Sequence, residues 1–310
     1  MLVAKGIIKS YGNLKVLRGV DLSVERGQIL GLMGVNGAGK TTLISILPGL
    51  TRPDAGDVHI GGVDLLRHRR QAARHIGVAP QALGIYPTLT VQENLDCFAG
   101  LAGYSGRKAR SRTAEIARLM GLQDLLDRPA GHLSGGQQRR LHTGMALLGH
   151  PDVLFLDEPT VGSDVQSREV LLSIVTHMAN EGTAVIYTTH YPAELEQLDA
   201  TINVLVNGRI TVTGSVQEVT GQWASSSIFL HFRGKTPEVD GWKEDRGGLV
   251  PIRPVSDPGQ MLGQTLSTLG AAAGGLDDVR ITRPSLEAAY LAITGDHALA
   301  EKEASDVVAA

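Results

Sequence analysis

Up to about residue 220 the chain alternates short apolar runs with longer stretches of helical period. Leu2–Ile8 predicts a strand, and so does Val16–Val24, where Val20, Leu22 and Val24 alternate with polar neighbours. Ile29–Met33 is a short unbroken apolar run, the mark of a strand covered on both faces. It leads straight into the glycine-rich segment Gly34–Thr42, after which Leu43, Ile44, Ile46 and Leu47 predict a helix ending at Pro48-Gly49. A turn over 52–56, strands at 58–60 and 76–79, and a basic helix from Arg67 to His75 follow. Residues 88–126 read as helical with a break at Gly103–Gly106. Leu133–Gln137 opens a further helix that runs to about Leu148. Val153–Leu156 predicts a strand ending in Asp157-Glu158, Val165–Ala179 a helix, and Ala184–Thr189 a strand ending at His190. Val204–Val206 and Ile210–Val212 form a hairpin around Asn207-Gly208.

Beyond residue 220 the texture loosens, with Gly247-Gly248 and a Pro- and Asp-rich run over 251–258. A helix is still predicted over Ser285–Thr294, with Ser285 as its N-cap and Leu286, Ala289, Tyr290 and Ile293 on one face. The pattern predicts a domain over 1–220 with a helical subdomain at about 88–148. It also predicts a small α+β accessory domain over 221–296 and a flexible tail over 297–310. At roughly 150 residues per domain, 310 residues accommodate that division.

Composition narrows the class. Hydrophobic residues make up 42% of the chain and aromatics only 4%, so the core is aliphatic. The net charge is −3. Split at residue 220, the parts hold 21 basic against 20 acidic residues and 8 against 12, and neither is a basic nucleic-acid module. The one cysteine, Cys97, excludes an internal disulfide and reads as a small buried side chain rather than a nucleophile. No segment approaches the 18 apolar residues of a membrane span, and no signal peptide is evident, so any membrane crossing is expected from another chain. The basic runs Arg67-His68-Arg69-Arg70 and Arg107-Lys108-x-Arg110-x-Arg112 read as solvated helix faces before they read as lipid-binding patches.

Two segments carry chemistry. Gly34-x-x-Gly37-x-Gly39-Lys40-Thr41 fits G-x-x-x-x-G-K-[ST] between a strand and a helix. Glycines let successive backbone N–H groups curl around phosphate oxygens, and the helix adds its positive end. Lys40 is spaced to reach the β and γ phosphates, and the Thr41 hydroxyl to ligate Mg²⁺. Val153–Glu158 ends an apolar strand in two acids, at the carboxyl edge where α/β sheets bind ligands. Asp157 is placed to hold Mg²⁺ through water, and Glu158 to polarise an attacking water.

With Leu133-Ser134-Gly135-Gly136-Gln137, just under 100 residues past Gly34, the sequence resembles the ATP-binding cassette (ABC) ATPases. The ordered set Tyr11, Gly34–Thr42, Gln81, Leu133–Gln137, Asp157-Glu158, Asp164 and His190 carries the likeness. The resemblance implies an α/β P-loop NTPase fold: a RecA-like core, an antiparallel β subdomain and a helical subdomain, followed by a small C-terminal α+β extension. It implies that Tyr11 stacks on adenine with Val16 beside it, and that Gly34, Asn36, Gly37, Ala38, Gly39, Lys40, Thr41 and Thr42 cradle the phosphates. Gln81 would touch Mg²⁺ and sense a membrane partner. Ser134, Gly135, Gly136 and Gln137 would contact a nucleotide held by a second cassette, Asp164 would lie at the dimer interface, and His190 would bond the γ-phosphate. ATP and Mg²⁺ are the implied cofactors. One phosphate loop and one signature per chain imply that a second nucleotide-binding subunit completes each site. Val35, Ser163 and Val165 depart from the family's usual residues, and none removes a phosphate or metal ligand.

Glu158–Arg168, Tyr187–Tyr191 and Arg283–Gly295 further resemble the drug and lipid exporter branch, whose partners are ABC-2 type permeases, and Arg283–Gly295 is similar to the C-terminal tail of daunorubicin-type exporter ATPases; efflux of a drug, antibiotic or lipid-like substrate is implied. That implies a peripheral motor at the cytoplasmic face of the membrane. Two other readings share the motifs: an importer ATPase, and a soluble non-transport ABC ATPase acting on ribosome or nucleic acid. The second is disfavoured by the single cassette, the missing coiled-coil insertion and the balanced charge. The transported substrate is not encoded here.

Overall fold

A computed structural model describes residues 1–234, 236–253, 255 and 257–295 of the chain. The expected tail at 297–310, and residue 296 of the expected accessory domain, lie outside the described residues. The chain divides into two compact units, Met1–Val216 and the residues from Gln217 onward.

The first unit opens with the hairpin β1 (Leu2–Tyr11) and β2 (Leu14–Val24). β3 (Ile29–Met33) feeds α1 (Lys40–Ile46), followed by β4 (Ala55–Ile60), β5 (Val63–Asp64), α2 (Arg69–Ala72) and β6 (Ile76–Ala79). The helical stretch comprises α3 (Val91–Leu101), α4 (Gly106–Leu119) and α5 (Gly135–Leu147). Then come β7 (Val153–Asp157), α6 (Val165–Asn180), β8 (Ala184–Thr188), α7 (Pro192–Gln197), β9 (Thr201–Val206) and β10 (Arg209–Ser215). β2, β1, β4 and β5 form an antiparallel sheet in that order. The larger sheet runs β10-β9-β3-β8-β7-β6, parallel except for β10.

The parallel strands are apolar throughout because both of their faces are covered: every residue of β3 and β8 is buried. Leu30, Leu32, Val153, Phe155, Ala184 and Ile186 join Leu43 and Ile46 of α1, its C-cap Leu47, and Leu17, Val20 and Val58 of the antiparallel sheet in one core. That core fixes the carboxyl ends of β3, β7 and β8 side by side, as the topology of a ligand-binding α/β sheet requires.

Three local expectations change. The basic stretch 67–75 forms only the single turn α2 and a following 3₁₀ turn, because the chain must reach β6 within a few residues. Cys97 is exposed, not buried. The inward face of α3 is Val91, Asn94, Leu95 and Ala99, and Cys97 lies off that stripe. Arg112, read as part of a solvated run, is buried on α4. Its guanidinium donates to the Leu147 carbonyl at 2.5 Å and the Leu148 carbonyl at 3.2 Å, closing the C-terminal end of α5 where a cation is favoured.

The second unit contains α8 (Val216–Trp223, its first residue counted with the first unit), β11 (Ser227–Phe232), β12 (Trp242–Asp245), β13 (Gly248–Pro251), α9 (Pro258–Leu269), β14 (Leu276–Thr282) and a helix over 286–295. Its strands pair antiparallel in the order β12-β13-β11-β14. Ile228, Leu230, Phe232, Trp242, Leu249 and Leu269 form its core. The Ser285 hydroxyl accepts from the Ala288 N–H at 3.2 Å, and Leu286, Ala289 and Ile293 are buried. Among the described residues, no helix is long and apolar enough to cross a membrane.

Candidate functional site

Gly34–Gly39 turns the chain from β3 into α1. At Gly39 φ is 105°, and a Cβ there would lie 3.1 Å from the Val16 carbonyl, so both the backbone conformation and the space demand glycine. Lys40, the first residue of α1, folds back over the loop. Its Nζ donates to the Gly34 carbonyl and, at 3.2 Å, to the Val35 carbonyl. Burial pulls the Lys40 ammonium below its ordinary value, opposed by the charges of Glu158 and Asp157.

Three distant segments meet this loop. Asp157 ends β7 and accepts the Thr188 hydroxyl of β8 at 2.5 Å. The next residue, Glu158, takes a left-handed conformation at φ 49°. It is pinned there because its N–H donates to both Thr188 oxygens, the carbonyl at 3.1 Å and the hydroxyl at 3.0 Å. The turn aims a carboxylate that is only 8% exposed at two partners from elsewhere in the chain. Gln81 Nε2, 77 residues away in sequence, donates to Oε2 at 2.7 Å, and His190 Nε2 contacts Oε1.

A cavity of about 450 Å³ is lined by Tyr11, Leu14, Val16, Val35, Asn36, Gly37, Gly39, Lys40, Thr41, Thr42, Gln81, Glu158 and His190. Tyr11 ends β1 and is 52% exposed, and Lys9 Nζ lies 5.4 Å from its ring centroid. Gly34 and Ala38 belong to the same loop but are not among the lining residues. A Cβ on Gly34 would sit 2.5 Å from the Leu205 carbonyl.

Ser134, Gly135, Gly136, Gln137 and Asp164 are not among the residues lining that cavity. Ser134 caps α5: its hydroxyl accepts the Gln137 N–H at 3.3 Å, and its own N–H donates to Gln137 Oε1 at 3.0 Å. Asp164 caps α6, accepting the Ser167 N–H at 2.8 Å and the Ser167 hydroxyl at 3.0 Å. The two caps are packed together. A Cβ on Gly136 would overlap the Ser167 hydroxyl.

One polar bridge was not anticipated from the sequence. Arg139, on α5, donates from Nη1 to the Gln81 carbonyl at 2.5 Å and from Nε to the Val161 carbonyl at 3.2 Å. It links the helix opened by Ser134 to Gln81 and to the turn after Glu158. Its only sequence signal was a charge two residues past Gln137. His142, one helical turn on, is buried against the Gln81–Tyr86 segment: a Cβ on Gly84 would lie 3.3 Å from its Nε2.

Burial, reinforced by Arg139, pushes the His142 imidazolium down to about 4. In the unfolded chain this group takes up a proton near pH 6.5, whereas in the folded chain it stays neutral until about pH 4. Stability is therefore lost as pH falls through that window, by about 3 kcal/mol for this one group. Urea unfolding at about pH 7 and about pH 4.5 is expected to show wild type losing about 2–3 kcal/mol more than His142→Gln. An equal loss in both would show that His142 protonates freely in the fold.

Comparisons with known proteins identify the family. The ABC transporter family pattern matches residues 17–161. The chain is 33% identical to the daunorubicin resistance ATP-binding protein DrrA3 of Streptomyces coeruleorubidus, over 95% of this chain and 96% of that one. The chain belongs to the ABC transporter ATP-binding family. It is likewise 33% identical to the doxorubicin resistance ATP-binding protein DrrA of Mycobacterium tuberculosis, over 95% and 94% of the two chains. A solved ATP-binding subunit of an ABC transporter superposes with a TM-score of 0.66 at 28% identity, covering 72% of this chain and 92% of that one. A dimeric ATP-binding cassette in a post-hydrolysis state with ADP and Pi gives 0.64 at 26% identity, covering 69% and 98%. This member of the family is thus an ATP-binding, ATP-hydrolysing subunit with the cassette fold.

Proposed function

We propose that the chain is the motor of an exporter, in which two cassettes close around two ATP and drive a separate ABC-2 type permease from the cytoplasmic face of the membrane. One observation carries the two-cassette part. The phosphate loop, Gln81, Glu158 and His190 share one cavity, whereas Ser134–Gln137 and Asp164, at the starts of α5 and α6, are not among its lining residues. That supports a reading in which the signature residues meet a nucleotide held by another cassette. The export reading draws on the near full-length likeness to daunorubicin and doxorubicin resistance proteins.

In this reading Tyr11 and Val16 hold the adenine. The N–H groups of Asn36–Thr42 and Lys40 hold the phosphates, and His190 bonds the γ-phosphate. Among the described residues no group of three or more His, Cys, Asp or Glu is set to hold a metal alone. The Thr41 hydroxyl, Asp157 and Gln81 are hard oxygen donors, and that set fits Mg²⁺, which takes few protein ligands and completes its shell with water and phosphate oxygens. Bound there, Mg²⁺ would neutralise charge on the β and γ phosphates. Glu158 orients a water and accepts its proton as the oxygen attacks the γ-phosphorus and the bond to the leaving ADP breaks. Phosphoryl transfer of this kind is mostly positioning and charge neutralisation, which a preformed Gln81–Glu158–His190 cluster supplies.

The test is co-purification of tagged Glu158→Gln from native membranes in mild detergent with ATP and Mg²⁺. A multi-span protein at equal stoichiometry is the expected result. Recovery from the soluble fraction alone, with or without nucleic acid or ribosomes, would end the transport reading and leave the ATPase intact.

A further inference from the structure

We infer that Glu194 is a positioning residue for ATP hydrolysis, its buried carboxylate tying the segment after Glu158 to the segment that carries His190. The inference rests on the proposed roles of Glu158 and His190 and reaches one layer behind them.

Glu194 lies on α7 in an acid-rich stretch, Pro-Ala-Glu-Leu-Glu-Gln, that reads as solvent-facing, yet it is only 3% exposed. A carboxylate so far from water persists in a fold only when its oxygens are met. The Thr160 hydroxyl donates to Oε1 at 2.8 Å. The Tyr187 hydroxyl donates to Oε2 at 3.0 Å, and the Thr189 hydroxyl to the same oxygen at 2.7 Å. Arg168 Nε stands 3.4 Å from Oε1, a charge contact without hydrogen-bond alignment.

The sources of these groups give the cluster its meaning. Thr160 is two residues past Glu158, Arg168 is four past Asp164 on α6, and Thr189 immediately precedes His190. While donating to Glu194, the Thr189 oxygen accepts the Tyr191 N–H at 3.0 Å. Arg168 also covers the Tyr191 ring, 5.0 Å from its centroid. Of the residues flanking His190, Thr189 is thereby fastened directly to one acid and Tyr191 indirectly, through Thr189 and Arg168, and that acid also holds the turn leading from Glu158 to Asp164. Burial, with the Glu194 charge second, pushes the Tyr187 phenol well up, so it stays a donor to the carboxylate.

Anchoring α7 to the sheet would need only Tyr187 of β8. The contacts to Thr160 and Thr189 instead fall on the two connecting segments whose neighbours meet across the site, where His190 Nε2 touches Glu158 Oε1. Glu194 is not among the residues lining the cavity, so it acts through those segments rather than on substrate. Displacing a reacting group by about 1 Å can cost about a hundredfold in rate.

The experiment uses the full chain, measuring steady-state kcat and KM for ATP with Mg²⁺, with melting midpoints, for Glu194→Gln, Thr189→Val and the double variant. Glu194→Gln keeps shape and loses charge. It is expected to lower kcat at least about tenfold while KM stays within about threefold and the midpoint stays near wild type. The double variant is expected to be no slower than about the slower single, because each substitution removes the same link. Three results overturn the inference: kcat within about twofold of wild type in Glu194→Gln, kcat and KM worsening together with a melting midpoint lowered by several degrees, or losses that multiply in the double variant. Glu158→Gln in the same series separates the layers. Lost turnover there beside normal turnover in Glu194→Gln removes the network and leaves the base standing. Full turnover in Glu158→Gln removes the base reading, and the positioning inference with it.

Discussion

Glu158→Gln is expected to bind ATP about as well as wild type and to turn it over at least about a hundredfold more slowly, the scale of a lost general base. The amide matches the carboxylate in size. The turn that presents it is built from backbone, since the Glu158 N–H donates to Thr188 whatever the side chain. The binding cavity keeps Lys40, the glycine loop and Tyr11. Proton acceptance is lost, together with one of the two carboxylates whose charge opposes the lowering of the Lys40 pKa. An equilibrium ATP titration beside a single-turnover assay separates binding from chemistry. Retained single-turnover rate would show that the Gln81 and His190 contacts position Glu158 without making it the base.

The sequence exposes what is short-range. The run from β3 through the glycine loop to α1 is contiguous, and its residue types follow from phosphate chemistry alone. β7 ending in Asp157-Glu158 is equally plain, because a strand buried on both faces reads as an unbroken apolar run. Gln81 and His190 carry no such signal. They become candidate site residues only when parallel pairing of β6, β7 and β8 brings their strand ends together, and family resemblance stands in for that topology.

The misses follow the same logic. Arg112 and Glu194 are charged residues in charged surroundings, and their burial is set by partners far along the chain: Leu147 and Leu148 for Arg112, Thr160 for Glu194. Cys97 fails the other way, since its residue type argued for burial and helix phase placed it outside. Asp164 and Ser134 show a third case. Both cap helices within their own chain, a local role that sits beside any interface role and is visible only as geometry.

Lys40→Ala is expected to weaken ATP and ADP binding about 10- to 150-fold, as loss of a charge-assisted contact to phosphate predicts. In this structure Lys40 is an internal partner as well, since Nζ holds the Gly34 and Val35 carbonyls. The two roles predict different outcomes. If the loop owed its shape to Lys40, the alanine variant would lose stability as well as affinity. The loop has other supports: the Ala38 N–H donates to the Val35 carbonyl at 3.1 Å, and the Leu43 N–H to the Gly39 carbonyl at 2.9 Å. Gly39 is held by packing against Val16 and Leu17. The melting midpoint without nucleotide is therefore expected to stay close to wild type, while the stabilisation that added ATP gives wild type disappears. Lys40→Arg sharpens the distinction. It keeps the charge but replaces a compact ammonium with a wide planar fork in a crowded cradle, so it is expected to bind nearly as poorly as alanine. Nucleotide titration by calorimetry reads all three proteins. Affinity within about threefold of wild type in Lys40→Ala would assign the lysine to the loop and remove it from the phosphate site.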